Sequence, residues 1–188
     1  MKARTFFPLY VLIGIFIIAG LWVWTNYNGL ITAQETMNAS WAQVETQYQR
    51  RFDLIPNLVN TVRGASTFEQ ETLMGVTEAR TKWLGAGSRN EKIEAATGFE
   101  SAFSRLLVTV EQYPELTATQ SYRDLMAQLE GTENRISVAR RDYNDVVRSY
   151  NLRVKRFPGN LMAAAFGFIE EPFFEGAEGS ENAPSVAF

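Results

Sequence analysis

The segment from Phe6 to Trp24, FFPLYVLIGIFIIAGLWVW, runs for 19 residues without a charged or amide side chain. Wound as a helix at about 1.5 Å per residue it is roughly 28 Å long, close to the thickness of a hydrocarbon core. The run therefore predicts a transmembrane helix. Trp22, Trp24 and Tyr27 stand at its C-terminal border, where amphipathic rings favour the headgroup level. Pro8 stands near its entrance, where a missing N–H costs little. Lys2 and Arg4 precede the run, while no Lys or Arg occurs between Thr25 and Gln49. That asymmetry predicts a cytoplasmic N-terminus and a following domain on the outer side. A cleaved signal peptide is the rival reading, weakened by the poor cleavage site Ile31-Thr32-Ala33 and by a run longer than the roughly 7 to 15 residues of a signal core.

The rest of the chain is polar, and 46% hydrophobic with 21% charged residues overall is ordinary for a folded protein. Cys and His are both absent. Disulfides, Cys/His zinc sites, cysteine nucleophiles and histidine general bases are thereby excluded, leaving only Ser/Lys or carboxylate chemistry. Leaving Lys2 and Arg4 aside, 16 basic residues face 21 acidic ones, which argues against nucleic acid. No glycine-rich phosphate loop sits between a strand and a helix. The expectation is a chain with no catalytic residues, no metal and no cofactor.

Four helices are predicted beyond the apolar run. In the first, about Gly29 to Gly64, Met37, Trp41, Val44, Tyr48, Phe52, Ile55, Val59 and Val62 recur at spacings of three and four, one buried stripe. Pro56 interrupts it and must leave a carbonyl near Phe52 without its partner, so a kink or a polar contact is expected there. The second, about Thr67 to Leu84, carries Leu73, Val76, Arg80 and Trp83 and ends at Gly85-Ala86-Gly87. Ser88 with Glu91 forms a capping box for the third, whose stripe runs from Ile93 to Tyr113 before Pro114. Ser121 with Asp124 repeats that signal for the fourth, which runs from Tyr122 through Ile136 and Tyr150 to Phe157-Pro158-Gly159.

The first and fourth helices have about 36 residues each, some 54 Å, whereas the second and third reach only about 27 and 36 Å. Short connections force antiparallel neighbours. The expected architecture is all-α: an N-terminal transmembrane helix, then an elongated antiparallel four-helix bundle of two long helices and a shorter distal hairpin. A C-terminal interfacial segment and tail follow. The expected divisions are 1–27 for terminus and span, 28–157 for the bundle, and 158–188 for the amphipathic segment and acidic tail.

If Asn28 lies level with Phe157, Arg51 falls beside Asn134, Asp53 beside Thr132 and Glu45 beside Arg140, within about a turn. Arg50, Arg51 and Asp53 then face Glu130, Glu133, Asn134 and Arg135 as one structural ion and amide network. A metal site built from Glu130, Glu133 and Asp53 is the alternative. It lacks the Glu-x-x-His motif of bundle di-metal sites, and the arginines neutralise the same carboxylates.

Three stretches, WAQVETQYQRRFDLIPNLVNTV at 41–62, EGTENRISVARRDYN at 130–144, and RFPGNLMAAAFGF with PFFEGAEGSENAPSVAF at 156–188, resemble the bacterial LemA family. The resemblance covers almost the whole chain. It implies a membrane-anchored antiparallel bundle with no established biochemical activity, in a family associated with envelope maintenance, membrane remodelling and a heat-shock membrane protease. The chain departs from the family pattern at Arg63-Gly64-Ala65-Ser66-Thr67-Phe68-Glu69, where a longer residue after the glycine and a His-Glu are expected.

Arg148, Arg153, Lys155 and Arg156 crowd the end of the fourth helix with no acidic residue from 148 to 156. Cations there suit both the helix dipole and anionic headgroups. The apolar segment 161–169, with Phe166 and Phe168, is too short to span. It lies in the bilayer interface or packs on its own or a neighbouring protomer. The tail from Glu170, with five glutamates and no basic residue, reads as an extended acidic strap that can remain loose. Docking on a partner or a second copy through Phe173, Phe174, Val186 and Phe188 is the second reading. The functional expectation is a non-enzymatic, homo-oligomeric scaffold whose partner is the lipid bilayer of the bacterial inner membrane, with the bundle periplasmic or extracellular. An adaptor or sensor for a membrane protease is the alternative.

Overall fold

A computed structural model of the chain describes residues 7–64 and 69–174, with side chains from residue 9 onward. Lys2 and Arg4, most of the Arg63–Glu69 departure, and tail residues 175–188 lie outside the described residues. The described residues form six helices and no strand: α1 (Phe7–Arg63), α2 (Gln70–Gly85), α3 (Arg89–Val110), α4 (Pro114–Thr117), α5 (Gln120–Lys155) and α6 (Gly159–Phe166). The protein is all-α. Its contacts group into two units, one of 1–41 with 143–171 and one of 42–142 with 172–188.

The apolar run and the first amphipathic helix are one uninterrupted helix, with no break near residues 25–29 where a boundary was expected. Polar side chains there support the helix instead of ending it. Thr25 Oγ1 donates to the carbonyls of Leu21 and Trp22, Asn26 Nδ2 to that of Trp22 and Asn28 Nδ2 to that of Trp24. One stretch of α1 is long and apolar enough to cross a membrane, and none of its most apolar window is buried inside the protein.

In the first unit α5 runs antiparallel to α1. Trp41 meets Tyr143 edge to face at 5.2 Å, and Arg153 donates to the carbonyl of Gly29 at 3.0 Å. Buried Leu30, Met37, Val147, Tyr150 and Val154 fill the seam. Val147, rather than its neighbour Val146, points inward. After α5 the chain turns at Pro158 into α6, which ends at Gly167 with φ +77°, the left-handed conformation that favours glycine. Phe168 N–H then closes on the carbonyl of Ala163 at 3.0 Å. Buried Asn151 grips the backbone of Glu171 through both its N–H and its carbonyl, each at 2.9 Å.

In the second unit the expected α1 stripe from Val44 to Val62 is buried. Phe52 packs on Trp83 of α2 at 5.0 Å and on Phe99 of α3 at 4.7 Å, and Tyr48 stacks on Trp83 at 5.6 Å. Each fully buried ring of this kind contributes on the order of 1.5–3 kcal/mol. The Ser88–Glu91 capping box forms, with Glu91 also accepting from the N–H of Gly87 at 2.8 Å. Those backbone bonds, that from Gly87 foremost, hold the Glu91 carboxyl below its ordinary value. The expected Ser121–Asp124 cap is corrected: α5 begins two residues earlier, at Gln120, and Thr119 Oγ1 accepts from the N–H of Tyr122 at 3.3 Å. Pro114 opens the single turn α4, where its missing N–H is harmless.

Pro56 is inside α1, and the carbonyl it leaves open is that of Phe52, four residues back. Arg80 Nε of α2 supplies the missing donor at 3.0 Å. Replacing Arg80 with Met strands that buried carbonyl and is expected to cost about 1–3 kcal/mol. In the Pro56→Ala background the alanine N–H restores the bond, so the same Arg80→Met change costs markedly less. Denaturant unfolding of the four proteins in detergent measures the coupling; additive effects contradict the account.

Candidate functional site

The second unit holds a charge cluster against its aromatic core. Arg51 of α1 is only 3% exposed. It sits one turn from Tyr48 and Ile55, on the inward face of the helix, so its guanidinium enters the core beside the apolar stripe. Arg51 Nη1 donates to both oxygens of Glu100 on α3, at 3.0 and 3.1 Å, and to Glu133 on α5. Its guanidinium also lies over the rings of Phe103 and Phe99, at 4.7 and 5.2 Å. Arg140 of α5 donates to Glu100 at 3.0 Å and to the Tyr48 hydroxyl. It covers the ring of buried Phe174 at 5.0 Å. Lys92 pairs with Glu45 and lies over the Trp83 ring at 4.9 Å.

Glu100 is thus the hub, receiving two arginines and a tyrosine. Burial, the largest influence, pushes its carboxyl above the ordinary carboxylate value; Arg51 pulls it down and Glu133 pushes it up. Burial lowers Arg140 to about 10, which leaves it cationic at neutral pH. Tyr122 is raised, by burial and then by Glu111. Arg51, Arg140, Glu100 and Glu133 pair through their terminal nitrogens and carboxylate oxygens, while the buried Nε of each arginine has no partner. The arrangement ties α1, α3 and α5 together.

Of the grouping expected from sequence, the structure brings together Arg51 and Glu133. Arg50, Asp53, Glu130, Asn134 and Arg135 are exposed, and Asp53 accepts from Gln49 of its own helix at 2.8 Å. The physical reason is the helical period. Residues 50 and 53 are turned by about 100° or more from the stripe that carries Arg51. Sequence reasoning missed Glu100, since an α1–α5 register says nothing about where α3 lies. It set Arg140 beside Glu45, whereas Arg140 reaches Glu100 and Tyr48, and Glu45 pairs with Lys92. Glu100 directly follows the stripe residue Phe99 and Arg140 follows Ala139, an adjacency that many exposed residues share, so no local signal marks them.

In the first unit, Arg153 holds the Gly29 carbonyl, Lys155 pairs with Glu170 at 2.7 Å, and Arg148 lies 3.6 Å from Asp145. Arg156 is exposed. Phe166 packs against Tyr27 at 4.8 Å and Phe168 lies 6.0 Å from the same ring. Segment 161–169 therefore sits beside the residue that ends the apolar part of α1. Phe157 and Ile169 remain 79% and 71% exposed, too open to belong to a core.

An all-helical chain with, among the described residues, one candidate membrane span and an internally neutralised charge cluster defines the structural class. A family model described as the LemA family matches residues 40–188, and the chain belongs to that family. Among its relatives, Magnetosome protein MamQ 2 of Paramagnetospirillum magneticum is 28% identical over 176 residues, covering 80% of this chain and 65% of the relative. Magnetosome protein MamQ of Magnetospirillum gryphiswaldense is 26% identical over 175 residues, covering 79% and 64%. Protein LemA of Metamycoplasma hominis is 25% identical over 176 residues, covering 93% and 80%. The chain thus spans just under two thirds of the length of the magnetosome relatives.

The sign of the Glu100 effect is testable. A carboxyl raised in the folded state keeps its proton where the unfolded chain has lost it. Its contribution to stability is therefore full below the ordinary value of about 4.3 and declines as pH rises through the raised one. Wild type minus Glu100→Gln stability, from unfolding midpoints, is expected to be more favourable to wild type at about pH 4 than at about pH 7; the opposite trend contradicts the assignment.

Proposed function

We propose that this chain is a non-enzymatic scaffold of the bacterial envelope, anchored in the inner membrane by α1 and self-associating at the membrane surface. The observation that carries the reading is the pair of apolar surfaces left open within one unit. One is the face of α1 from Leu9 to Trp24; the other comprises Phe157, Leu161, Phe166 and Ile169 around α6. Surfaces of this kind mark contact with lipid or protein rather than with water. The bilayer covers the first. The bilayer interface, or a second copy, covers the second.

The charge cluster supports the non-enzymatic part of the reading. Glu100, Arg51 and Arg140 are occupied with one another and with aromatic rings, which leaves no poised acid, base or nucleophile among them. The cytoplasmic placement of the N-terminus rests on Lys2 and Arg4. A second reading, an adaptor for a membrane protease or another envelope enzyme, draws on the open groove of about 1280 Å³ along α2 and α3, which Pro172 and Phe173 also line. Crosslinking in cells followed by pull-down distinguishes a partner there from self-association.

Light scattering of the full chain in mild detergent is expected to give one defined oligomeric mass. A strict monomer at every detergent and protein concentration contradicts self-association.

A further inference from the structure

Just beyond the apolar stretch, α1 and α5 enclose a cleft of about 530 Å³, within the roughly 300–1,000 Å³ usual for small-ligand sites. Thr25, Asn26, Gly29 and Leu30 of α1 form one wall; Ser149, Leu152 and Arg153 of α5, with Arg156 directly after its end, form the other. Both sets recur at spacings of three and four, so each wall is a single helix face. Phe157 and Gly159 complete the lining, which includes two arginines and no carboxylate.

The hydrogen-bond inventory shows what such a cleft accepts. The Thr25 hydroxyl proton goes to the Leu21 and Trp22 carbonyls and the Ser149 proton to the Asp145 carbonyl. Their oxygens therefore present only lone pairs. Arg153 uses one N–H on the Gly29 carbonyl at 3.0 Å, which anchors the guanidinium at the α1 wall. Its other donors, and those of Arg156, remain the strong positive donors of the lining. A Cβ on Gly159 would stand 2.2 Å from the carbonyl oxygen of Arg153. Only glycine therefore lets the chain fold back onto the last turn of α5 and close the end of the cleft.

The position selects among anions. The cleft opens directly after Trp22 and Trp24, whose rings prefer headgroup depth. Leu30, Leu152 and the 79% exposed Phe157 give it apolar flanks. Cations matched to an anion, at the depth of lipid phosphate and beside exposed hydrocarbon, suit one amphiphile. We infer that this cleft binds the headgroup of an anionic phospholipid, its phosphate held between Arg153 and Arg156 and its acyl chains running back along α1. Arginine suits this role through paired N–H donation to phosphate oxygens. The inference rests on α1 being a membrane anchor, and replaces a diffuse basic rim with one bound lipid.

Native mass spectrometry of the delipidated full chain in detergent tests it, with added phosphatidylglycerol, diacylglycerol or inorganic phosphate. The expected result is one phosphatidylglycerol retained per chain, no retention of diacylglycerol, and no displacement by millimolar phosphate. Arg156→Gln, and Arg153→Gln with Arg156→Gln, are expected to weaken retention about tenfold or more. Arg148→Gln, outside the lining, leaves it unchanged, and circular dichroism confirms that the variants keep their helices. Unaltered retention in the arginine variants, an equal loss in Arg148→Gln, or displacement by free phosphate overturns the site. Oligomer mass is read in the same spectra: monomers that retain phosphatidylglycerol refute self-association alone, and oligomers without it refute the cleft alone.

Discussion

A helix whose opening turns bury nothing inside the protein must be satisfied from outside, and that constraint organises this chain. Residues from Leu9 to Trp24 of α1 expose isoleucine, leucine, phenylalanine and tryptophan side chains to their surroundings. At about 25 cal/mol per Å² of apolar area, leaving them in water is prohibitive. The same helix then changes character without breaking. Once past Asn28 its apolar residues contract to a stripe, and the stripe recruits partners from the rest of the sequence. In the first unit the partner is the C-terminal part of α5, which brings Arg153 to Gly29 and Phe166 to Tyr27.

The second unit solves a different problem, that of placing charge inside an aromatic core. A buried ion pair contributes little net stability, because desolvation offsets most of its attraction. Breaking one is costly, since the remaining charge is left without a partner. Arg51 and Glu100 therefore act as a matching condition: α1 and α3 pack only where the two groups meet, and α5 must present Arg140 and Glu133 at the same level. Arg80 imposes a similar condition on α2 through the carbonyl opened by Pro56. Such devices set which face meets which, a requirement that leucine and valine stripes alone leave loose.

Much of this is legible in the residues. Every position named for the first stripe, Met37 to Val62, is buried, because a single dominant period over many turns has one interpretation. The Ser88–Glu91 box and the open carbonyl at Phe52 were readable because each follows from local covalent geometry. The contacts that escaped are those between segments far apart in sequence. Glu100 and Arg140 depend on where α3 lies, Asn151 on where Glu171 returns, and neither is written in a local pattern. The α5 cap was misplaced by two residues because Thr119, Ser121 and Asp124 all carry capping oxygens within six consecutive residues. Only the three-dimensional path of α4 selects among them. Gly159 reads as a simple helix stop until the carbonyl of Arg153 is seen pressed against it.

The claim on which the account turns is that α5 returns alongside α1, placing α6 beside the end of the apolar stretch. The absence of cysteine from the chain makes it directly measurable. Tyr27→Cys with Phe166→Cys, in the otherwise cysteine-free protein reconstituted in bilayers, is expected to crosslink within one chain through a short thiol-reactive bridge. The pair Phe16→Cys and Phe166→Cys is expected not to. Failure of the first pair, with both thiols shown to react singly, would contradict the account.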